Sequence, residues 1–262
     1  MFVLGLTGSI AMGKSTAAET FRSLAVPVFD ADRAVHCLLA PGGAAVEPVT
    51  RAFPGCEDGR GGVDRRCLGQ LVFEDPAALV RLEGIVHPLV RAAQRRFLAR
   101  CAAAGEPLAV LDIPLLFETG AEHLVDAVAV VSAPAFLQRQ RVLRRPGMSS
   151  ERLEAIRARQ MADEEKRRRA DFVILTGLSR RHAVRAIVRI VDRLRGRPGR
   201  VWLTRWPAAP PSRAWPASPG RRRKGILAAR GEAVYNGAEP ATHGRGDAGG
   251  RARYRDHRPG SE

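Results

Sequence analysis

One short stretch constrains this chain more than any other: GSIAMGKST at 8–16, which satisfies GxxxxGK[ST]. Gly8 and Gly13 let the backbone curl tightly, so that successive N–H groups face phosphate oxygens. Lys14 would reach the β- and γ-phosphates of a nucleoside triphosphate, and the Ser15 hydroxyl would ligate Mg²⁺. The motif needs a buried strand before it and a helix after it, because the helix start adds its positive end to the same anion. Both are legible. Residues 2–7 are an apolar run, and 14–24 place Ala17, Ala18, Phe21 and Leu24 at helical spacing. The loop therefore predicts ATP or GTP binding through Gly8, Ala11, Met12, Gly13, Lys14, Ser15 and Thr16.

The elements around the loop extend the same pattern. Strands are predicted at 26–29, 108–111, 127–131 and 172–175, and helices at 76–101 (broken or bent at Pro88), 134–144, 151–160 and 179–194. Strands alternating with helices imply an α/β fold of P-loop NTPase type, a parallel sheet flanked by helices. No strand is evident between 35 and 104, which reads as a helical, substrate-binding insertion. Core segments at 1–34 and 105–195 then enclose it.

A phosphate loop alone does not separate kinases from other nucleotide enzymes. Here the loop opens the chain, and the next strand ends in Asp30-Ala31-Asp32. Carboxylates at the carboxyl end of a parallel strand lie where ligands bind, and one could orient an acceptor hydroxyl toward the γ-phosphate. The competing role for the pair is capping the helix over 33–39. Arg139, Arg141, Arg144 and Arg145, ahead of Pro146-Gly147, have the makings of a mobile lid over 139–160. Arg139 and Arg144 read as its solvated face. An NKxD-like guanine signature is absent, which argues against a switch GTPase.

Charge is a weaker guide. The chain carries +16, but the segment from 196 onward holds 14 Lys+Arg against 5 Asp+Glu, so the first 195 residues carry only +7. No nucleic-acid partner is expected for that core. Residues 196–262 hold eight of the 18 prolines and all three tryptophans, show no apolar periodicity, and read as a disordered tail. Reverse translation of 247–259, shifted by one nucleotide, allows MREVVLDTETTGL, which resembles the N-terminal DxE motif of DEDD-type proofreading exonucleases. The tail thus also reads as out-of-frame translation, which its codons decide. The four cysteines show no CxxC and no nearby histidine cluster, so reduced thiols are expected rather than disulfides or zinc. No apolar stretch reaches the roughly 18 residues of a membrane span, and 1–7 lack a basic leader region, so a cytoplasmic protein is expected.

Taken together, the segments from Phe2 to Leu194 resemble the dephospho-coenzyme A kinases. The resemblance rests on TGSIAMGKST, FDADR at 29–33, VDRRCLGQLVF at 63–73 and LEGIVHPLV at 82–90. It continues through DIPLLFETG at 112–120, QRQRVLRRPGMS at 138–149, ARQM at 158–161 and ADFVI at 170–174. It implies transfer of the ATP γ-phosphate to the ribose 3′-hydroxyl of dephospho-CoA, with a helical CoA domain and a lid on a P-loop kinase core. Asp32 matches the family's acceptor-hydroxyl base. Arg141 and Arg145 match lid arginines that approach the ATP phosphates, and Arg65 and His87 fall in segments of the CoA domain. Asp112 has two readings, a partner of magnesium-bound water or a cap on the following turn. Leu175-Thr176-Gly177 matches the family's Asx-containing turn only loosely. Another nucleoside or nucleotide kinase, or nucleic-acid binding through the tail, are the competing functions.

Overall fold

A computed structural model of the chain describes residues 1–206. The elements run β1 (Phe2–Thr7), α1 (Lys14–Ser23), β2 (Val28–Asp30), α2 (Ala31–Leu39), α3 (Val46–Ala52), α4 (Arg65–Glu74), α5 (Pro76–Ala103) and β3 (Leu108–Asp112). They continue with β4 (Ala127–Ser132), α6 (Ala135–Leu143), α7 (Ser150–Ala158), α8 (Asp163–Arg169), β5 (Phe172–Leu175), α9 (Arg180–Arg195) and α10 (Val201–Arg205). The five strands form one parallel sheet in the order β2-β3-β1-β4-β5. Every residue of β1, β3 and β4 is buried, which explains their unbroken apolar sequences: helices cover both faces. Helices α1 and α9 pack together, α9 through Ile187, Ile190, Val191 and Leu194. The expected α/β architecture is observed, and among the described residues no helix is long and apolar enough to cross a membrane.

Between β2 and β3 the chain is helical and builds its own core from Leu39, Val49, Phe53, Val63, Leu68 and Val86, among others. Carboxylates cap the starts of α4 and α5: Asp64 accepts from Arg66 N and Cys67 N, and Asp75 accepts from Ala77 N with Pro76 at the first position. Of the expected break or bend at Pro88, a break is not observed. Helix α5 runs unbroken from Pro76 to Ala103, and Pro88 falls where the helix changes allegiance. Ala78 and Val86 before it belong to the insertion core, while Leu98 and Cys101 after it belong to the sheet core.

Two further expectations are corrected. Cys56 and Cys67 form a disulfide, with Cα atoms 5.5 Å apart, while Cys37 and Cys101 are free. The irregular turn containing the Glu57–Val63 bridge brings the two cysteines together, a proximity their spacing did not advertise. The segment 196–206, assigned to the tail, is folded. Val201 and Trp206 lie in the sheet core, with Trp206 Nε1 donating to Leu124 O at 3.2 Å. Asp126 ties this strap to β1, accepting from Val3 N through Oδ2 and from Arg200 N and Val201 N through Oδ1. The tail readings for 207–262, disorder and out-of-frame translation, lie outside the described residues.

Candidate active site

The loop between β1 and α1 has the geometry its glycines demand. Gly13 sits at φ 95°, and a Cβ on Gly8 would lie 2.6 Å from the Val131 carbonyl oxygen. Ala11 also occupies the left-handed region, at φ 57°, a conformation that costs a non-glycine residue on the order of 1–2 kcal/mol. The ends of β4 and β5 brace the loop from outside. Met12 is buried, its Sδ accepts from Ala133 N at 3.2 Å, and Thr176 Oγ1 donates to Met12 O at 2.6 Å.

An open cavity of about 720 Å³ stands over this loop. Gly8, Ala11, Gly13, Lys14, Ser15 and Thr16 line it, joined by Asp32 from α2 and by Arg141 and Arg145 from α6 and the residues just after it. Met12 does not line it; its role is the buried anchor just described. The capping question for the two acids resolves into a division of labour. Asp30 is the N-cap of α2, with Oδ1 accepting from Arg33 N at 2.9 Å, and Oδ2 is 3.8 Å from Arg22 Nη2. Asp32, in the first turn of the same helix, faces the cavity instead.

Lys14 donates from Nζ to Asp112 Oδ1 at 2.6 Å. Asp112 ends β3, beside the carboxyl end of β1, and is only 3% exposed. Burial pushes its carboxyl up to about 6, Lys14 opposes the rise, and Asp30 and Asp32 add to it. Asp112 therefore engages the loop lysine and does not cap the next turn. The Ser15 hydroxyl and the Asp32 carboxylate, which both line the cavity, are oxygen donors of the kind magnesium prefers, so the residues present fit that ion.

The arginines of the expected lid segment differ in engagement. Arg141 donates to Thr176 O at 3.0 Å and Thr176 Oγ1 at 3.3 Å, and reaches Ala11 O at 3.4 Å. Arg145 lines the cavity, whereas Arg139 bonds Ser150 Oγ at 2.9 Å on the outside. Arg65 and His87 are not brought to the cavity: Arg65 Nη1 lies 2.7 Å from His36 Nδ1, and His87 is half-buried on α5. Sequence reasoning missed three participants. Thr176 links loop, β4 and Arg141; its sequence signal was the loose match of Leu175-Thr176-Gly177 to the family's turn, which gave it no role. Gln138 and Gln160 contact Ile10 of the loop; both fall in segments that carry the family resemblance, but no local pattern points to Ile10 as their partner.

Comparison with known proteins agrees with this geometry. The sequence model of the dephospho-CoA kinase family matches residues 2–179. The dephospho-CoA kinase of Mesorhizobium japonicum is 57% identical over 199 residues, covering 76% of this chain and 100% of its own length. That of Paramagnetospirillum magneticum is 64% identical over 167 residues, 64% of this chain and 78% of the relative. Among solved structures, a dephospho-CoA kinase from Campylobacter jejuni is 27% identical with a TM-score of 0.53, covering 73% of this chain and 96% of its own. A Thermus thermophilus protein is 37% identical with a TM-score of 0.65, over 73% and 96% of the two chains. A phosphate loop facing a carboxylate and two arginines, with a family match spanning the sheet and the insertion alike, places this chain in the dephospho-CoA kinase family.

Proposed function

We propose that the protein transfers the γ-phosphate of ATP to the ribose 3′-hydroxyl of dephospho-CoA, releasing CoA and ADP. The observation that carries this reading is Asp32: a carboxylate two residues past the Asp30 cap, lining the same cavity as Lys14 and the loop glycines. Asp32 orients the acceptor hydroxyl and takes its proton as the bond to phosphorus forms. Lys14 exchanges Asp112 for the β- and γ-phosphates, a trade favoured because phosphate offers more negative charge than one buried carboxylate. Arg141 and Arg145 stabilise charge on the transferring group. The Ser15 hydroxyl would hold magnesium, which when bound would supply charge neutralisation to the triphosphate.

Domain roles follow the same reading. Segments 1–34 and 105–195 form the kinase core, 35–104 the CoA-binding insertion with Arg65 and His87, and 139–160 the lid. Neither Arg65 nor His87 lines the cavity, so their contacts fall on the pantetheine arm or require the insertion to close. A cytoplasmic location suits substrates of this kind. The test is a coupled ADP-release assay across acceptors. Dephospho-CoA should be preferred by at least about 10²-fold in kcat/KM over adenosine and AMP, a discrimination expected when polar groups of a site must be paired. Preference for adenosine or AMP would overturn the assignment.

A further inference from the structure

Ile10 is the one residue of the phosphate loop whose backbone N–H and C=O are both held by side chains from elsewhere in the chain. Its N–H donates to Gln160 Oε1 at 3.1 Å, and its carbonyl accepts from Gln138 Nε2 at 3.0 Å. The backbone fixes the orientation of both amides: a glutamine facing an N–H must present oxygen, and one facing a carbonyl must present nitrogen. The two glutamines bracket the lid. Gln138 lies on α6, only 4% exposed, and Gln160 follows the end of α7.

Both glutamines are themselves held in place. Arg141, one turn after Gln138 on α6, reaches the next loop carbonyl at Ala11. Met161, beside Gln160, donates its N–H to Glu118 Oε1 at 2.9 Å, and the same oxygen is 2.8 Å from the fully buried Lys166 Nζ. Burying a lysine is costly unless it is paired, so this ion pair is a fixed point from which Gln160 extends. The residue gripped by the two amides directly precedes Ala11, the non-glycine residue at φ 57°. A strained conformation persists only where its surroundings over-determine it, and here the surroundings are the two ends of the lid.

We infer that Gln138 and Gln160 are positioning residues that hold the phosphate loop in its anion-binding shape and seat the lid on it, so that they govern nucleotide affinity without touching the acceptor. The inference rests on the assignment of ATP to this loop. Its test uses the full chain with Gln138→Met, Gln160→Met and the double variant, methionine matching glutamine in volume without its amide. ADP affinity by calorimetry should weaken about tenfold in each single variant, the size of one lost hydrogen bond plus an orphaned loop group. The double variant should fall within about threefold of the worse single, because both amides act on the same peptide conformation. KM for dephospho-CoA should stay within about twofold and the melting temperature within about 3 °C. If Gln138→Met fails to fold, the half-exposed Gln160→Met carries the test alone. Unchanged ADP affinity overturns the inference, as does a parallel loss of ADP affinity, dephospho-CoA affinity and melting temperature, which marks a merely structural role. Failure of the wild-type chain to bind ADP would instead bring down the ATP assignment.

Discussion

Replacing Asp112 by Asn should make the protein more stable and less active, although Asp112 forms an ion pair of 2.6 Å with Lys14. Burial raises the folded-state pKa of Asp112 from 3.8 to about 6 even with Lys14 opposing. The ionised carboxylate is therefore disfavoured in the fold by about 3 kcal/mol, at roughly 1.4 kcal/mol per pKa unit. Asn removes that charge and keeps an oxygen for the lysine. The pH dependence has a defined sign. Below about pH 4 the side chain is protonated in both folded and unfolded chains, and the variant gains nothing. Between about 4 and 6 the unfolded chain releases the proton while the folded one keeps it, so wild-type stability falls as pH rises. Above about 6 the full penalty applies. Denaturant unfolding at pH 4 and pH 8 should show the Asp112→Asn advantage at pH 8 only, approaching 3 kcal/mol, while turnover falls because Lys14 loses the carboxylate that positions it at the loop. Destabilisation at pH 8 would refute the reasoning, since it would mean that Lys14 outweighs burial.

Other outcomes follow from the packing. Trp206→Ala should cost about 3–5 kcal/mol, the range for deleting a buried large aromatic, and thermal unfolding would measure it; a negligible change would mean the strap only rests on the sheet. Gly8→Ala should lower kcat/KM for ATP by about 10²-fold, because its Cβ would meet the Val131 carbonyl oxygen at 2.6 Å and displace the loop. Unchanged kinetics would show that the loop has slack. A thiol reductant should destabilise the insertion by about 3 kcal/mol, the chain-entropy value for a bridge between cysteines 11 apart in sequence. Equal unfolding curves with and without reductant would show that the bridge adds nothing.

What the sequence revealed, and what it hid, divides along a physical line. Features built from local pattern were legible: β1 and β5 fall on their predicted limits, and α1 and α9 within a residue or so of theirs. The phosphate loop was legible because its glycines and lysine sit in one contiguous stretch. Features that depend on distant partners were not. The Cys56–Cys67 bridge depends on a turn that only the folded insertion defines. The strap at 196–206 looked like tail because its composition is Arg- and Gly-rich, yet Asp126 and the sheet core supply the partners it lacks locally. Gln138 and Gln160 lie 128 and 150 positions from the Ile10 peptide they hold, so no local pattern marks them. Asp30 and Asp32 lay between these cases. The sequence supplied a cap and a candidate base, and the fold shows which acid caps.

The most direct measurement of the central claim is turnover by Asp32→Asn with ATP and dephospho-CoA, beside Asp30→Asn as the comparison. The account predicts that Asp32→Asn lowers kcat by roughly 10²–10⁴-fold with both KM values little changed, the loss expected of a general base. Asp30→Asn should leave kcat and stability nearly unchanged, because the Asn side-chain oxygen caps α2 about as well as the carboxylate. Near-wild-type turnover for Asp32→Asn would contradict the account, and a larger loss of kcat in Asp30→Asn would move the acceptor's base to the other acid.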